Sequence, residues 1–240
     1  MKHTLTLAAL ALSTAAFSQS FFDDFNRADG DPGANWVNMG GAPMTIMSNE
    51  ITGSGTGNGL TLVDSGAFTG AFDTTVVQAD LRIIDNSSTL AYAAVAIGHN
   101  GLLTTGQGIF VKLQRQVAGP NFSHIGIYTG NGINNTTAIV TAGGNFQALA
   151  SPFAAARMTL RANSPTELYT GLDTDFNGTD EFSYTSTLNL GVLVLGDRVG
   201  MHFWGSLSRG DNFNANVVPE PATFAVLGLG ALGLLLRRRK

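Results

Sequence analysis

Gly108-Ile-Phe-Val-Lys-Leu-Gln-Arg115 alternates side chains with period two, so that Ile109, Val111 and Leu113 share one face. That is the pattern of a strand, and the same reading extends outward in both directions. Upstream lie Thr74-Thr-Val-Val-Gln-Ala-Asp-Leu-Arg-Ile-Ile84 and Leu90-Ala-Tyr-Ala-Ala-Val-Ala-Ile97, the latter followed by a turn-like Gly98-His-Asn-Gly101. Downstream come His124–Tyr128, Ala155–Arg161, Thr166–Leu172, Glu181–Thr187 and Arg198–Trp204. Each run is short, rich in β-branched and aromatic residues, and bounded by Gly and Asn. Heptads, long amphipathic helices and fixed repeats are absent. Strands at this spacing predict an all-β, antiparallel β-sandwich of jelly-roll type over residues 19–217. A parallel β-helix, the alternative, would require a repeat period that the sequence lacks.

The composition agrees. Of 240 residues 30 are Gly, only 12% are charged and none is Cys, which excludes a disulfide framework, a thiolate metal site and a cysteine nucleophile. The formal charge of −4 understates the middle of the chain, because five bases lie at the two ends. Residues 19–218 hold eight bases against sixteen acids, a net charge of about −8. Nucleic acid is not an expected partner for so acidic a body.

Both ends carry sorting information. Lys2 precedes the apolar run Leu5–Leu12, and Ala16-Phe17-Ser18 places small residues where a signal peptidase cuts, so residues 1–18 read as a signal peptide and Gln19 as the mature start. The alternative is a buried N-terminal helix. At the other end Val218-Pro219-Glu220-Pro221 leads into the apolar run Ala222–Leu236, then Arg237-Arg238-Arg239-Lys240. The run is slightly short of the roughly 20 residues that normally span a bilayer. The four cations form a stop-transfer signal that holds the C-terminus in the cytoplasm. A single C-terminal transmembrane helix is therefore expected.

Residues 218–240 resemble the PEP-CTERM sorting domain of Gram-negative, exopolysaccharide-producing bacteria, with motif, helix and basic cluster in order. The resemblance implies an exosortase-like membrane protease-transpeptidase as partner, with Pro219, Glu220 and Pro221 as its processing signal. It also implies residence in the inner membrane and then at the cell surface. An ordinary anchor that is never cut is the alternative. A second resemblance lies in the body. Phe21-Phe-Asp-Asp-Phe-Asn-Arg-Ala-Asp-Gly30 with Asn35-Trp36 is similar to the opening of concanavalin-A-like (laminin-G-like) domains, and Gly200–Trp204 with Asp211–Val217 is similar to their closing strands. The family pairs first and last strands, which implies that Phe25 and Phe213 share one core.

Polysaccharide hydrolases of that family generally use Glu-x-Asp-x-x-Glu on one strand, since nucleophile and proton donor must sit at a fixed separation. Glu50, Glu167 and Glu181, the body's glutamates, do not form it, and no enzyme is expected. His99, His124 and His202 show no zinc-ligand spacing, and His99 falls in the expected turn. Thr52–Gly59 resembles a phosphate loop only superficially and reads as a flexible loop. One stretch has metal-like spacing. In Asp173-Thr-Asp-Phe-Asn-Gly-Thr-Asp-Glu181, oxygens from Asp173, Asp175, Asn177 and Glu181 could wrap calcium. An Asn177-Gly178 hairpin turn explains the same residues. A second calcium position would join Asp23 or Asp24 to Asp211. For glycan binding, Trp36, Tyr128, Tyr169 and Trp204 are available, with Trp36 and Trp204 expected in the core. The overall expectation is an exported, non-enzymatic surface or matrix protein, with exopolysaccharide as a candidate partner. A glycan-active enzyme with its acid and base among the Asp residues is the alternative.

Overall fold

The period-two runs become strands of a two-sheet antiparallel sandwich. A computed structural model describes residues 19–218, except 56, 85–90, 117–118, 131–134, 137–139, 143–145 and 191–192. In chain order the strands are β1 (Ser20–Asp23), β2 (Trp36–Gly41), β3 (Met44–Met47), β4 (Glu50–Gly53), β5 (Asn58–Val63) and β6 (Thr75–Ile83). They continue with β7 (Ala91–His99), β8 (Ile109–Arg115), β9 (Phe122–Gly130), β10 (Asn135–Thr136), β11 (Val140–Ala142) and β12 (Phe146–Phe153). The last are β13 (Ala155–Ser164), β14 (Glu167–Asp173), β15 (Phe182–Leu188), β16 (Arg198–Trp204) and β17 (Ser208–Val217). Sheet A runs β11-β15-β14-β13-β6-β17-β4-β3, with β1 also paired to β17. Sheet B runs β10-β9-β8-β7-β16-β5-β2, with β12 also paired to β9.

Alternation decides what each strand buries. Val77, Ala79, Leu81 and Ile83 of β6 face Ala93, Val95 and Ile97 of β7, Ile109, Val111 and Leu113 of β8, and Val199, Met201 and Phe203 of β16 in one core. First and last strands pair, Ser20 opposite Asn216 through Asp23 opposite Phe213. Phe25 and Phe213 are both fully buried, and Trp36 packs on each, at 5.4 and 5.1 Å between ring centroids. The polar part of the opening motif serves this cluster. Asp23 accepts from Arg27 at 2.7 and 2.8 Å, from Trp36 Nε1 at 2.7 Å and from the Phe25 N–H at 2.8 Å. Burial pushes its carboxyl up, and these donors more than reverse that, holding it below the usual range. Asp23 is thus committed to Arg27 and Trp36, which removes it from the second calcium position.

Two local expectations are corrected. Thr52–Gly59 is not a loop throughout: β4 runs to Gly53, and β5 begins at Asn58. Two of its four glycines, Gly53 and Gly59, serve packing. A Cβ on Gly53 would lie 2.7 Å from the Gly205 carbonyl oxygen, and one on Gly59 would lie 2.3 Å from that of Ala42. His99 ends β7 fully buried, its ring edge-on to Phe110. The strand runs two residues into the expected turn, with Gly98 at a positive φ of 66° inside it.

The expected signal peptide, the Pro219–Pro221 motif and the expected C-terminal helix with Arg237–Lys240 lie outside the described residues. Among the described residues no helix is long and apolar enough to cross a membrane. The last strand hands directly to the tail. The Val217 N–H donates to Gln19 and the Val218 N–H to Thr74, after which Pro219 has no N–H to offer.

Candidate functional site

The side chains that alternate out of the core on sheet B form a second, smaller cluster. Across the strands they fall into three rows. His124, Gln114, Tyr92, Trp204 and Asn58 make the first, and Gly126, Lys112, Ala94, His202 and Leu60 the second. Tyr128, Phe110, Ala96, Gly200, Leu62 and Val37 make the third. Met39, Leu60, Leu62, Ala96 and Phe110 pack together there as an apolar floor. Trp204, Tyr128, His124 and Asn58 are half-buried around it. Trp204, expected in the core, therefore stands on the opposite face, because Phe203 takes the inward position beside it.

Polar atoms on this face are linked. Tyr92 Oη donates to Asn58 Oδ1 and lies 3.1 Å from His202 Nε2, while Gln114 Nε2 donates to Tyr128 Oη at 2.7 Å. The His202 ring sits between Tyr92 and Phe110, at 5.1 and 5.3 Å. Lys112 lies in the middle of the face and is 5% exposed. Its Nζ is 4.1 Å from the Tyr92 ring centroid and 4.8 Å from that of Tyr128. Burial drives its ammonium from an ordinary 10.5 to about 7. Such a shift separates the two protonation states by roughly 5 kcal/mol, whereas a desolvated cation–π contact returns about 2. Desolvation wins.

Charge divides between the sheets. The strands of sheet A carry Asp23, Glu50, Asp80, Glu167, Asp173 and Asp211, whereas those of sheet B carry no carboxylate among the described residues. On sheet A, Arg157 bridges to Asp80 at 2.7 Å, and Arg82 to Glu50. Asp211 forms no ion pair among the described residues. Burial first, with the charges of Glu50, Asp80 and Asp24, pushes its carboxyl up to about 6.

The loop between β14 and β15 is the other candidate. Asp173, Asp175 and Glu181 bring one carboxylate oxygen each to within 4.8 Å of one another. Backbone amides hold them: Asp173 accepts from the Asn177 and Gly178 N–H groups at 3.1 and 2.8 Å, and Glu181 from that of Thr174. The Thr174 N–H keeps the Glu181 carboxyl below its usual range. Asn177 turns its amide nitrogen toward Asp175 at 2.9 Å and its oxygen to the Thr179 N–H at 2.7 Å. The loop is longer than a two-residue Asn-Gly turn, spanning 174–181. Asp180 folds back onto β14, accepting from Tyr169 Oη at 2.6 Å over Gly171, where a Cβ would lie 2.0 Å from its carboxylate.

Spacing in the sequence brings the loop residues together, whereas of the sheet B face it offers only the aromatics Tyr128 and Trp204. The signal was present in the alternation: once Ile109, Val111 and Leu113 point inward, Phe110, Lys112 and Gln114 point outward. Val199, Met201 and Phe203 assign His202 and Trp204 in the same way. The three histidines do not converge on a metal position among the described residues.

Comparison with known proteins places both parts of the chain. No curated protein matches it by sequence. Residues 217–240 match the PEP-CTERM protein-sorting motif. The exoplasmic/lumenal domain of VIP36, in its form bound to calcium and Man3GlcNAc, superposes with a TM-score of 0.53 at 11% identity, over 84% of this chain and 89% of that one. The carbohydrate-binding module CBM66 from Bacillus subtilis gives 0.50 at 10%, over 77% and 97%. Arcelin-5, a lectin-like defence protein from Phaseolus vulgaris, gives 0.50 at 12%, over 84% and 98%. At these identities the likeness establishes the fold alone. The chain thus joins a PEP-CTERM protein-sorting motif, the mark of an exported protein, to a body folded as a lectin-like, concanavalin-A-like β-sandwich.

Proposed function

We propose that this is a non-enzymatic protein of the Gram-negative cell surface or extracellular matrix, sorted by an exosortase-like system, whose outer face on sheet B binds glycan. The observation that carries the reading is the row of Gln114, Tyr92, Trp204 and Asn58 above an apolar floor. It supplies a ring for a sugar's apolar side and amides and hydroxyls for its oxygens. Solved proteins of this fold include one described as mannose-oligosaccharide-bound and one described as a carbohydrate-binding module, which supports the same reading. Exopolysaccharide is the partner that a matrix role implies. The absence of carboxylates from the described strands of sheet B argues against glycoside cleavage on this face. The protein should bind polysaccharide on a glycan array and release no reducing ends from it. Release of reducing ends would favour the enzyme reading.

The β14–β15 loop holds calcium in this account. Three carboxylates within 4.8 Å repel one another, and a hard cation between them relieves that. A cation bound only to the folded state raises its stability, so saturating calcium should raise the melting temperature and a chelator reverse it. An unchanged melting temperature would leave the loop as a hairpin connection held by its backbone amides.

A further inference from the structure

We propose that the outer face of sheet B receives a uronic-acid residue of an acidic polysaccharide, with the Lys112 ammonium as the partner of its carboxylate. The proposal rests on the glycan-binding reading of this face and names the ligand class. Lys112 is the observation that neutral sugar does not explain. Its Nζ meets two tyrosine rings and, among the described residues, no hydrogen-bond acceptor or carboxylate. A methionine or leucine would fill the same space without the desolvation cost. A lysine buried without a counter-ion is retained at a cost to stability, the mark of a group kept for what it binds, and an arriving carboxylate would favour its charged form.

Charge complementarity selects the ligand. The body is acidic, yet all of its histidines and Lys112 lie on sheet B, whose described strands contain no acid. An anion meets no competing carboxylate on the described strands of sheet B, where Lys112 can take its charge, whereas the strands of sheet A present six acids. The other bases in sheet B are engaged elsewhere: Arg115 donates to the Gly119 carbonyl and Arg198 to that of Val63. What remains is one point charge without an arginine fork, which suits a carboxylate better than a phosphate needing several donors. Gln114 lies two residues from Lys112 on β8, and Trp204 packs at 6.2 Å on Tyr92, the ring that meets the ammonium, so the sugar's ring and hydroxyls would extend from the charge along that row.

Binding of the full chain in detergent to polygalacturonate, carboxyl-reduced polygalacturonan and dextran sulfate tests this by calorimetry. Wild type should prefer polygalacturonate to its neutral form by tenfold or more. Lys112→Met and Lys112→Gln should both lose that preference while keeping the weaker binding to the neutral polymer; two side chains of different polarity separate lost charge from altered packing. Trp204→Ala should weaken both polymers. Equal binding of the acidic and neutral polymers by wild type, with the Lys112 variants unchanged and Trp204→Ala impaired, overturns the uronate assignment and leaves the glycan reading standing. Preference for dextran sulfate over polygalacturonate also overturns it, in favour of a general anion site. If no polysaccharide binds, both readings fall.

Discussion

Replacing Pro219, Glu220 and Pro221 with alanine should leave the exported protein uncut and held in the inner membrane. The tail's physics makes the motif a distinct element. The ladder of β17 ends with the Val218 N–H, and Pro219 can neither extend it nor start a helix from upstream. Pro at 219 also biases Val218 toward extended backbone, and Pro221 does the same for Glu220. Both prolines thus favour a stiff, extended link between the folded body and the apolar run 222–236. That run can just span a bilayer, and Arg237–Lys240 cannot follow it across. Alanines would keep the anchor while removing the extended strip that a protease reads. Mass spectrometry of surface material should find wild type truncated near Pro219 and the triple variant carrying Leu234-Leu235-Leu236 with the basic cluster. Wild-type surface protein that still carries these residues would make the tail a permanent anchor.

Lys112→Met should stabilise the body near neutral pH by about 2–4 kcal/mol, because it removes a cation whose burial costs more than its cation–π contacts return. Methionine is unbranched and can follow the lysine stem between Tyr92 and Tyr128. The pH dependence gives the sharper signature. Lys112 titrates near 7 in the folded protein and near 10.5 unfolded, so the unfolded chain binds more protons between those values. Stability should therefore rise with pH through that window in wild type, and the rise should be absent from the variant. The titratable groups packed on the same face are Tyr92 on β7, His124 and Tyr128 on β9, and His202 on β16. Burial pushes the Tyr92 hydroxyl up, beyond the window. Denaturant melts between about pH 8 and 9.5 also stay above the usual histidine range near 6.5. A variant less stable than wild type throughout would show that the caged ammonium stabilises the fold.

Much of the fold was legible because alternation is a local signal. Ile109, Val111 and Leu113 announced β8, and the opening and closing motifs anticipated the pairing of β1 with β17 and the shared burial of Phe25 and Phe213. What escaped depends on contacts distant in sequence. Gly53 and Gly59 look like flexible residues until the carbonyls of Gly205 and Ala42 are seen against them. The loop residues Asp173, Asp175 and Glu181 were found because ligands close in sequence reveal themselves by spacing. Lys112, Tyr92 and His202 come from three strands, and only the register of sheet B sets them side by side. Large aromatics on average fill cores, but the parity of β16 puts Phe203 inward and Trp204 outward.

The most direct test compares Trp204→Ala with chelation, because the two candidate sites lie on different sheets. Polysaccharide binding by the full chain is measured for wild type and for Trp204→Ala, each with and without a calcium chelator. Binding through the outer face of sheet B predicts at least a tenfold loss in Trp204→Ala and little change on chelation. Binding abolished by chelator and untouched by Trp204→Ala would contradict this account and move the site to the Asp173–Glu181 loop.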